Sequence, residues 1–241
     1  MYNPPHFTRT DPAALHRLLR EHPLGTLVHT GPGGLDADHL PFEFDPDGAP
    51  TDGTDPAAAP GLGVLWAHVA RANPLWQRLA GAGEAGAEVL VVFHGPQAYV
   101  SPNWSPSKHA SHRQVPTWNY EVVHAHGRLR VRDDERFVRG VVARLTRRHE
   151  AEAAAALEAR APEDAPPPHR PWKMSDSDPA FITELLGRIV GLEIVITRLE
   201  GKAKLSQNRD AADRQGAADT LAHLGHGPLA QAMREASPPG A

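Results

Sequence analysis

Large apolar residues recur along this chain in short alternating or continuous runs, separated by stretches rich in Gly, Pro and Asp, a pattern that predicts a sheet with helices set around it. Asp11 and Pro12 read as an N-cap and first helical position, and Leu15, Leu18 and Leu19 follow at helical spacing before Pro23. Strand-like runs over Leu24–Thr30 and Leu35–Phe44 flank the turn formers Gly31–Gly34, which predicts a hairpin. Residues 45–61 carry almost no large apolar side chain and are expected to form a mobile surface loop. Leu62–Ala70 is strand-like, Asn73 and Pro74 cap a short helix carrying Leu75, Trp76 and Leu79, and Glu88–His94 is apolar enough to suggest a strand buried on both faces.

The second half of the chain repeats this alternation of signals. Val123, Ala125, Gly127, Leu129 and Val131 alternate with His124, His126, Arg128 and Arg130, the period of two expected for a half-buried strand. Asp133 and Asp134 begin a helix through about His149, an Ala-rich tail over Ala151–Ala161 continues as helix or frays, and the proline-rich residues 161–171 read as a linker. A helix from Asp178 is expected to end near Gly191, and Leu192–Leu199 is the last strong strand. The helices fall between and after strands rather than in strict βαβ order, so the reading is a mainly β fold with peripheral helices, an α+β barrel type. The expected division is one domain over residues 1–202 and a polar C-terminal segment over 203–241, with short helices at most. No internal repeat is visible.

Composition narrows the function classes. A length of 241 residues is enough for a sizeable core, and the absence of cysteine excludes disulfides, thiolate metal sites and thiol nucleophiles. No run approaches the ~18 apolar residues of a membrane span. The N-terminal residues lack the apolar core of a secretory signal, so a cytoplasmic location is expected. A formal net charge of −4 weighs against a stand-alone DNA binder, because such binding relies on phosphate neutralisation. Arg144, Arg147 and Arg148 form a local basic patch that a solvated helix face explains.

The chemistry-bearing residues concentrate in Gly95–Tyr120, GPQAYVSPNWSPSKHASHRQVPTWNY. Two clusters of rings, amides and hydroxyls, Ser101–Trp104 and Pro116–Tyr120, surround the cations Lys108, His109, His112 and Arg113. Such a set suits a planar anion with a ring to stack and a phosphate to neutralise; the alternative is a surface loop whose indoles plug the core. A second candidate follows strand Leu62–Ala70, where Arg71 and the free N–H groups of the helix start make a plausible anion socket, with a plain capped helix as its alternative. Gly81, Gly83 and Gly86 match dinucleotide-fingerprint spacing but stand after a helix and before a strand, the reverse of what that motif needs, and read as a turn. His124 with His126, and His109 with His112, lack an obvious third ligand, so no metal site is expected.

Taken in order, MYNPPHF (Met1–Phe7), WAHVARANPLW (Trp66–Trp76), the Gly95–Tyr120 block, VHAHGRLRV (Val123–Val131) and KLSQNR (Lys204–Arg209) make the chain resemble the FMN-binding negative transcriptional regulators. The resemblance runs from Met1 to about Gly216. It implies an FMN-binding split β-barrel, a homodimer with FMN at the subunit boundary, and negative regulation of transcription, with DNA as a partner by family label only. It also implies phosphate contacts from Arg71, His68 and Asn73, and contacts to the polar edge of the flavin ring from Thr117, Trp118, Asn119 and Tyr120. Ser101 and Lys108 are assigned to the phosphate or the ring edge. Lys204, Gln207 and Arg209 form a polar motif that the resemblance adds to the cofactor set and that composition alone reads as a solvated tail. Ser105 stands where relatives usually carry an aromatic residue, and Ala203 where they carry Trp. Two alternatives remain beside regulation: an FMN-dependent reductase or oxidase acting on a small molecule, and a flavin-free ligand-binding barrel.

Overall fold

The computed structural model describes residues 1–31, 33–48, 62–162 and 170–236. Pro32 of the expected hairpin turn, residues 49–61 of the expected loop and residues 163–169 of the expected linker lie outside the described residues.

The chain runs β1 (Thr8–Arg9), α1 (Pro12–Glu21), β2 (Leu24–Gly31), β3 (Gly34–Pro41), β4 (Glu43–Asp45), β5 (Val64–Ala70), α2 (Leu75–Ala80), β6 (Ala87–Val100) and α3 (Pro106–Ser111). It continues with β7 (Thr117–Arg132), α4 (Glu135–Glu158), α5 (Pro179–Leu186), β8 (Ile189–Lys204), α6 (Ala211–His223) and α7 (Gly227–Glu235). Among the described residues the eight strands form one antiparallel sheet in the order β3-β2-β6-β7-β8-β5-β4, with β1 paired to β8. Register is set by opposed side chains, with Trp66 of β5 facing Glu193 of β8 and His68 facing Gly191.

Local chemistry accounts for most of the boundaries. Asp11 starts α1 by accepting from the N–H groups of Ala13 and Ala14, and Asp134 starts α4 by accepting from Phe137 N at 2.8 Å. Three expectations change. Glu88–His94 belongs to a longer strand whose burial alternates, with Val89, Val91 and Phe93 inward and His94 exposed, so it covers one face of the core rather than being enclosed on both. The helix from Pro179 stops at Leu186, not near Gly191, because Gly191 is already strand. A Cβ at Gly191 would stand 2.5 Å from the Phe137 ring and 2.8 Å from Arg132 O, so glycine there permits close packing rather than a helix cap. Thr117–Tyr120, expected just before the alternating strand, is its first turn of pleat.

By contacts the chain divides into two compact units. The first comprises residues 1–25, 91–125 and 198–241. Its helices α6 and α7 are more than a solvated tail, since Leu221, Leu229 and Met233 join Val100 and Leu205 of the strands in one buried cluster. Ala residues at the helix–strand contacts allow close approach, which explains why so Ala-rich a segment packs tightly. The second comprises residues 26–90 and 126–197. There α4 lies against β5 and closes a cluster of Val64, Trp66, Val141 and Leu145, and α5 adds Ile182 and Leu186 beside Val138.

Candidate functional site

In the first unit the Gly95–Tyr120 block is built by prolines and caps. Ser101 Oγ accepts from Asn103 N at 3.2 Å and opens a 3-10 turn over Pro102–Trp104, and Pro106 opens α3, which ends at His112 in a left-handed conformation with φ 54°. Buried Asp213 of α6 ties the block down. Its carboxylate accepts from Ser107 N at 2.9 Å, from Ser107 Oγ at 2.5 Å and from Gln114 Nε2 at 3.0 Å.

These ties leave a small hollow lined by Ser101, Ser105, Thr117, Ser206, Arg209 and Arg214, among others. Thr117 Oγ1 accepts from Lys204 Nζ at 2.5 Å. The expected residues therefore divide. Ser101, Thr117 and Arg209 gather around one hollow, with Lys204 bound to Thr117. Alternation along β7 sends Trp118 and Tyr120 to the face opposite Thr117 and Asn119. Trp118 is 50% exposed and donates from Nε1 to Gln97 Oε1 at 3.1 Å, while the Lys202 ammonium lies 5.5 Å from the centre of the Tyr120 ring. Half-buried Lys108 makes no ion pair among the described residues.

Two of the expected contacts carry the fold itself. Asn119 is fully buried, with Nδ2 donating to Ser206 Oγ at 2.9 Å and approaching Met233 Sδ at 3.4 Å. Gln207 donates from Nε2 to Ala203 O at 2.6 Å and accepts at Oε1 from Leu205 N at 2.8 Å, closing the end of β8. Ala203, where a Trp was expected by resemblance, is 3% exposed within the cluster that α6 and α7 fill. Ser105, the other departure, lines the hollow.

In the second unit His68 sits on β5, and Arg71 and Asn73 in the turn after it. Arg71 donates to both oxygens of Asp133, Nη1 to Oδ2 at 2.8 Å and Nη2 to Oδ1 at 2.5 Å, and from Nε to Gly187 O at 2.8 Å. This hydrogen-bonded pairing raises the Arg71 pKa and holds that of Asp133 below its ordinary value. Asn73 is equally engaged: Oδ1 accepts from Leu75 N at 2.9 Å, and Nδ2 donates to Asp38 Oδ1 at 2.9 Å. Asp38 in turn meets buried His29 at 3.3 Å. His68 differs, because its Nδ1 is buried without a hydrogen-bond partner and burial pulls its pKa down.

Ser206, Asp213, Gln114 and Arg214 were not picked out from the sequence. Ser206 stood within the KLSQNR motif and was legible there, whereas the pairing of Asp213 with Ser107 spans 106 residues and has no local signal.

Comparison with known proteins places the architecture. The chain is 32% identical over 235 residues to an uncharacterized protein of Aspergillus fumigatus, covering 88% of this chain and 87% of that one. It is 28% identical over 223 residues to the Bacillus subtilis protein named protease synthase and sporulation protein PAI 2, covering 92% and 89%. Among solved structures it resembles the FAD and heme binding protein from Mycobacterium smegmatis, with a TM-score of 0.51, 18% identity, and 86% and 78% of the two chains covered. Residues 1–198 match the family model described as "Putative FMN-binding domain". The strand pattern, the ordered motifs and this match agree, and the chain belongs to that FMN-binding family, with its split-barrel fold and FMN as its cofactor.

Proposed function

We propose that the protein is a cytoplasmic homodimer that binds FMN noncovalently and serves in negative regulation of transcription, with the hollow of the first unit as the flavin's polar anchor. The observation that carries this reading is the donor set around that hollow: the hydroxyls of Ser101, Ser105 and Thr117 beside the guanidiniums of Arg209 and Arg214. Hydroxyls and fixed cations suit a phosphate and a polyol chain. Lys108 adds a charge with no ion pair among the described residues, and Lys204 keeps the Thr117 hydroxyl oriented. Trp118 projects from the opposite face of β7, so its exposed indole, held at one edge by Gln97, does not line this hollow.

The residues present thus fit the cofactor. Asn119 and Gln207 support the walls of the hollow in this reading, because they already spend their polar atoms on the protein. Bound FMN supplies reversible electron and hydride transfer, and the chain's own contribution is to bind and orient it.

A second reading, an FMN-dependent reductase or oxidase, is favoured by the net charge of −4, which gives no broad attraction to DNA. The two separate in one set of measurements on the purified full chain. Heat release and mass spectrometry should identify FMN, light scattering should give twice the chain mass, and Arg209→Ala should weaken FMN binding by at least about tenfold. Sequence-selective DNA retention at moderate salt supports regulation; bleaching by NADH or NADPH and reoxidation by a substrate supports catalysis. A colourless protein that takes up no added FMN would overturn both.

A further inference from the structure

The second unit carries a cleft of about 510 Å³ at the start of α4, lined by Trp66, Arg132, Arg136, Phe137, Gly140 and Arg144 among others. Its volume lies within the ~300–1,000 Å³ of small-molecule sites. The two rings meet edge to face with centroids 6.5 Å apart, and the Arg144 guanidinium lies 4.5 Å from the Trp66 ring centre. Arg132 stands likewise 5.0 Å from the Phe137 ring centre. Glu193, with no exposed surface, accepts from Trp66 Nε1 at 3.3 Å and from Arg132 Nη1 at 3.1 Å, so one buried carboxylate fixes both an indole and a guanidinium.

The charge balance around the cleft is uneven. Arg132 has Glu193 at 3.1 Å and Asp134 at 3.6 Å, and Arg144 has Asp45 at 3.3 Å. Arg136 also lines the cleft but makes no ion pair among the described residues. Gly140 completes the opening: a Cβ there would meet nothing within 4 Å. Glycine inside a helix is less stable than alanine, so helix formation does not explain this choice, whereas an unobstructed cleft does.

We propose that this cleft binds a small planar aromatic anion, its ring against Trp66 and Phe137 and its carboxylate on Arg136. Stacked arginines and edge-to-face rings recognise an aromatic face, and the exposed Arg136 guanidinium is available to a carboxylate. None of its lining residues is among those assigned to FMN.

The test uses the full chain saturated with FMN and 2-naphthoate as probe, followed by calorimetry and tryptophan fluorescence, with 2-naphthol and cyclohexanecarboxylate as controls lacking charge or ring. Saturable binding of 2-naphthoate alone is expected. Arg136→Ala should weaken it by at least about tenfold. Gly140→Leu should abolish it while flavin content and melting temperature are retained, since the added side chain enters open space. Absence of saturable binding, equal binding by both variants, or release of FMN by the probe would each overturn the proposal; the last would show that the probe enters the flavin site instead.

Discussion

Arg71 illustrates how a side chain whose sequence context suggests one task is given another by its neighbours. Both arms of its guanidinium fork meet Asp133, a residue 62 positions away, and Gly187 O takes Nε. His68, three residues earlier, has the opposite character. Its folded-state pKa lies below the ordinary 6.5, so between those two values the unfolded chain binds more protons. Stability from this group is therefore present above about pH 6.5 and falls as pH drops through the folded value. His68→Gln should flatten the acid limb of a denaturation-midpoint profile below that pH; an unchanged limb would remove His68 as its source. Asn119 supplies a second prediction, because truncation strands Ser206 Oγ in the core. Asn119→Ala should cost ~1–3 kcal/mol in urea unfolding, and Asn119→Asp, which loses the donor, should not restore it.

At the level of elements, caps and pleats were legible while their extents were not. Asp11 before Pro12 and Asp178 before Pro179 each mark a helix start that the structure realises. Asp134→Ala should destabilise by about 1 kcal/mol with an unchanged urea m-value, as expected when one cap is removed without altering the surface exposed on unfolding. β8 shows the limit of local reading. Its C-terminal end, Arg198–Lys204, is more polar than the rest, and pairing with β1 at Gly201 and Lys202 carries the strand beyond the apolar run that pairs with β5. Gly191→Ala tests the packing reason for that glycine. Its Cβ would press on Phe137 and a backbone carbonyl, and the change should cost ~1–3 kcal/mol, whereas the same change at Gly140 should be neutral or stabilising.

For the molecule as a whole, the C-terminal helices are a structural component of the first unit. Leu221 is 1% exposed and packs with residues of both β6 and β8. Leu221→Ala should lose ~2–5 kcal/mol, and removal of residues after Lys204 should leave an aggregating chain, because Val100 and Ala203 would face water. FMN adds a term of mass action: a ligand held only by the folded state should raise the melting temperature with its concentration. A melting temperature that ignores added FMN would contradict binding to the native protein.

The sequence by itself determined the sheet-and-helix class, the helix starts, the strand alternation and, through ordered motifs, the family and its cofactor. Each of those is written in neighbouring residues or in fixed spacings, where period and propensity act over a few positions. Only the tertiary structure decided which polar groups are left to meet a ligand. Asp213 and Asp133 claim Ser107 and Arg71 from far along the chain, while β7 splits Thr117 from Trp118 between two faces. The cleft of Trp66, Phe137 and Arg136 was illegible for the same reason. A strand and a helix more than 60 residues apart build it, and burial of Glu193 beside Trp66 and Arg132 depends on packing that no local pattern encodes.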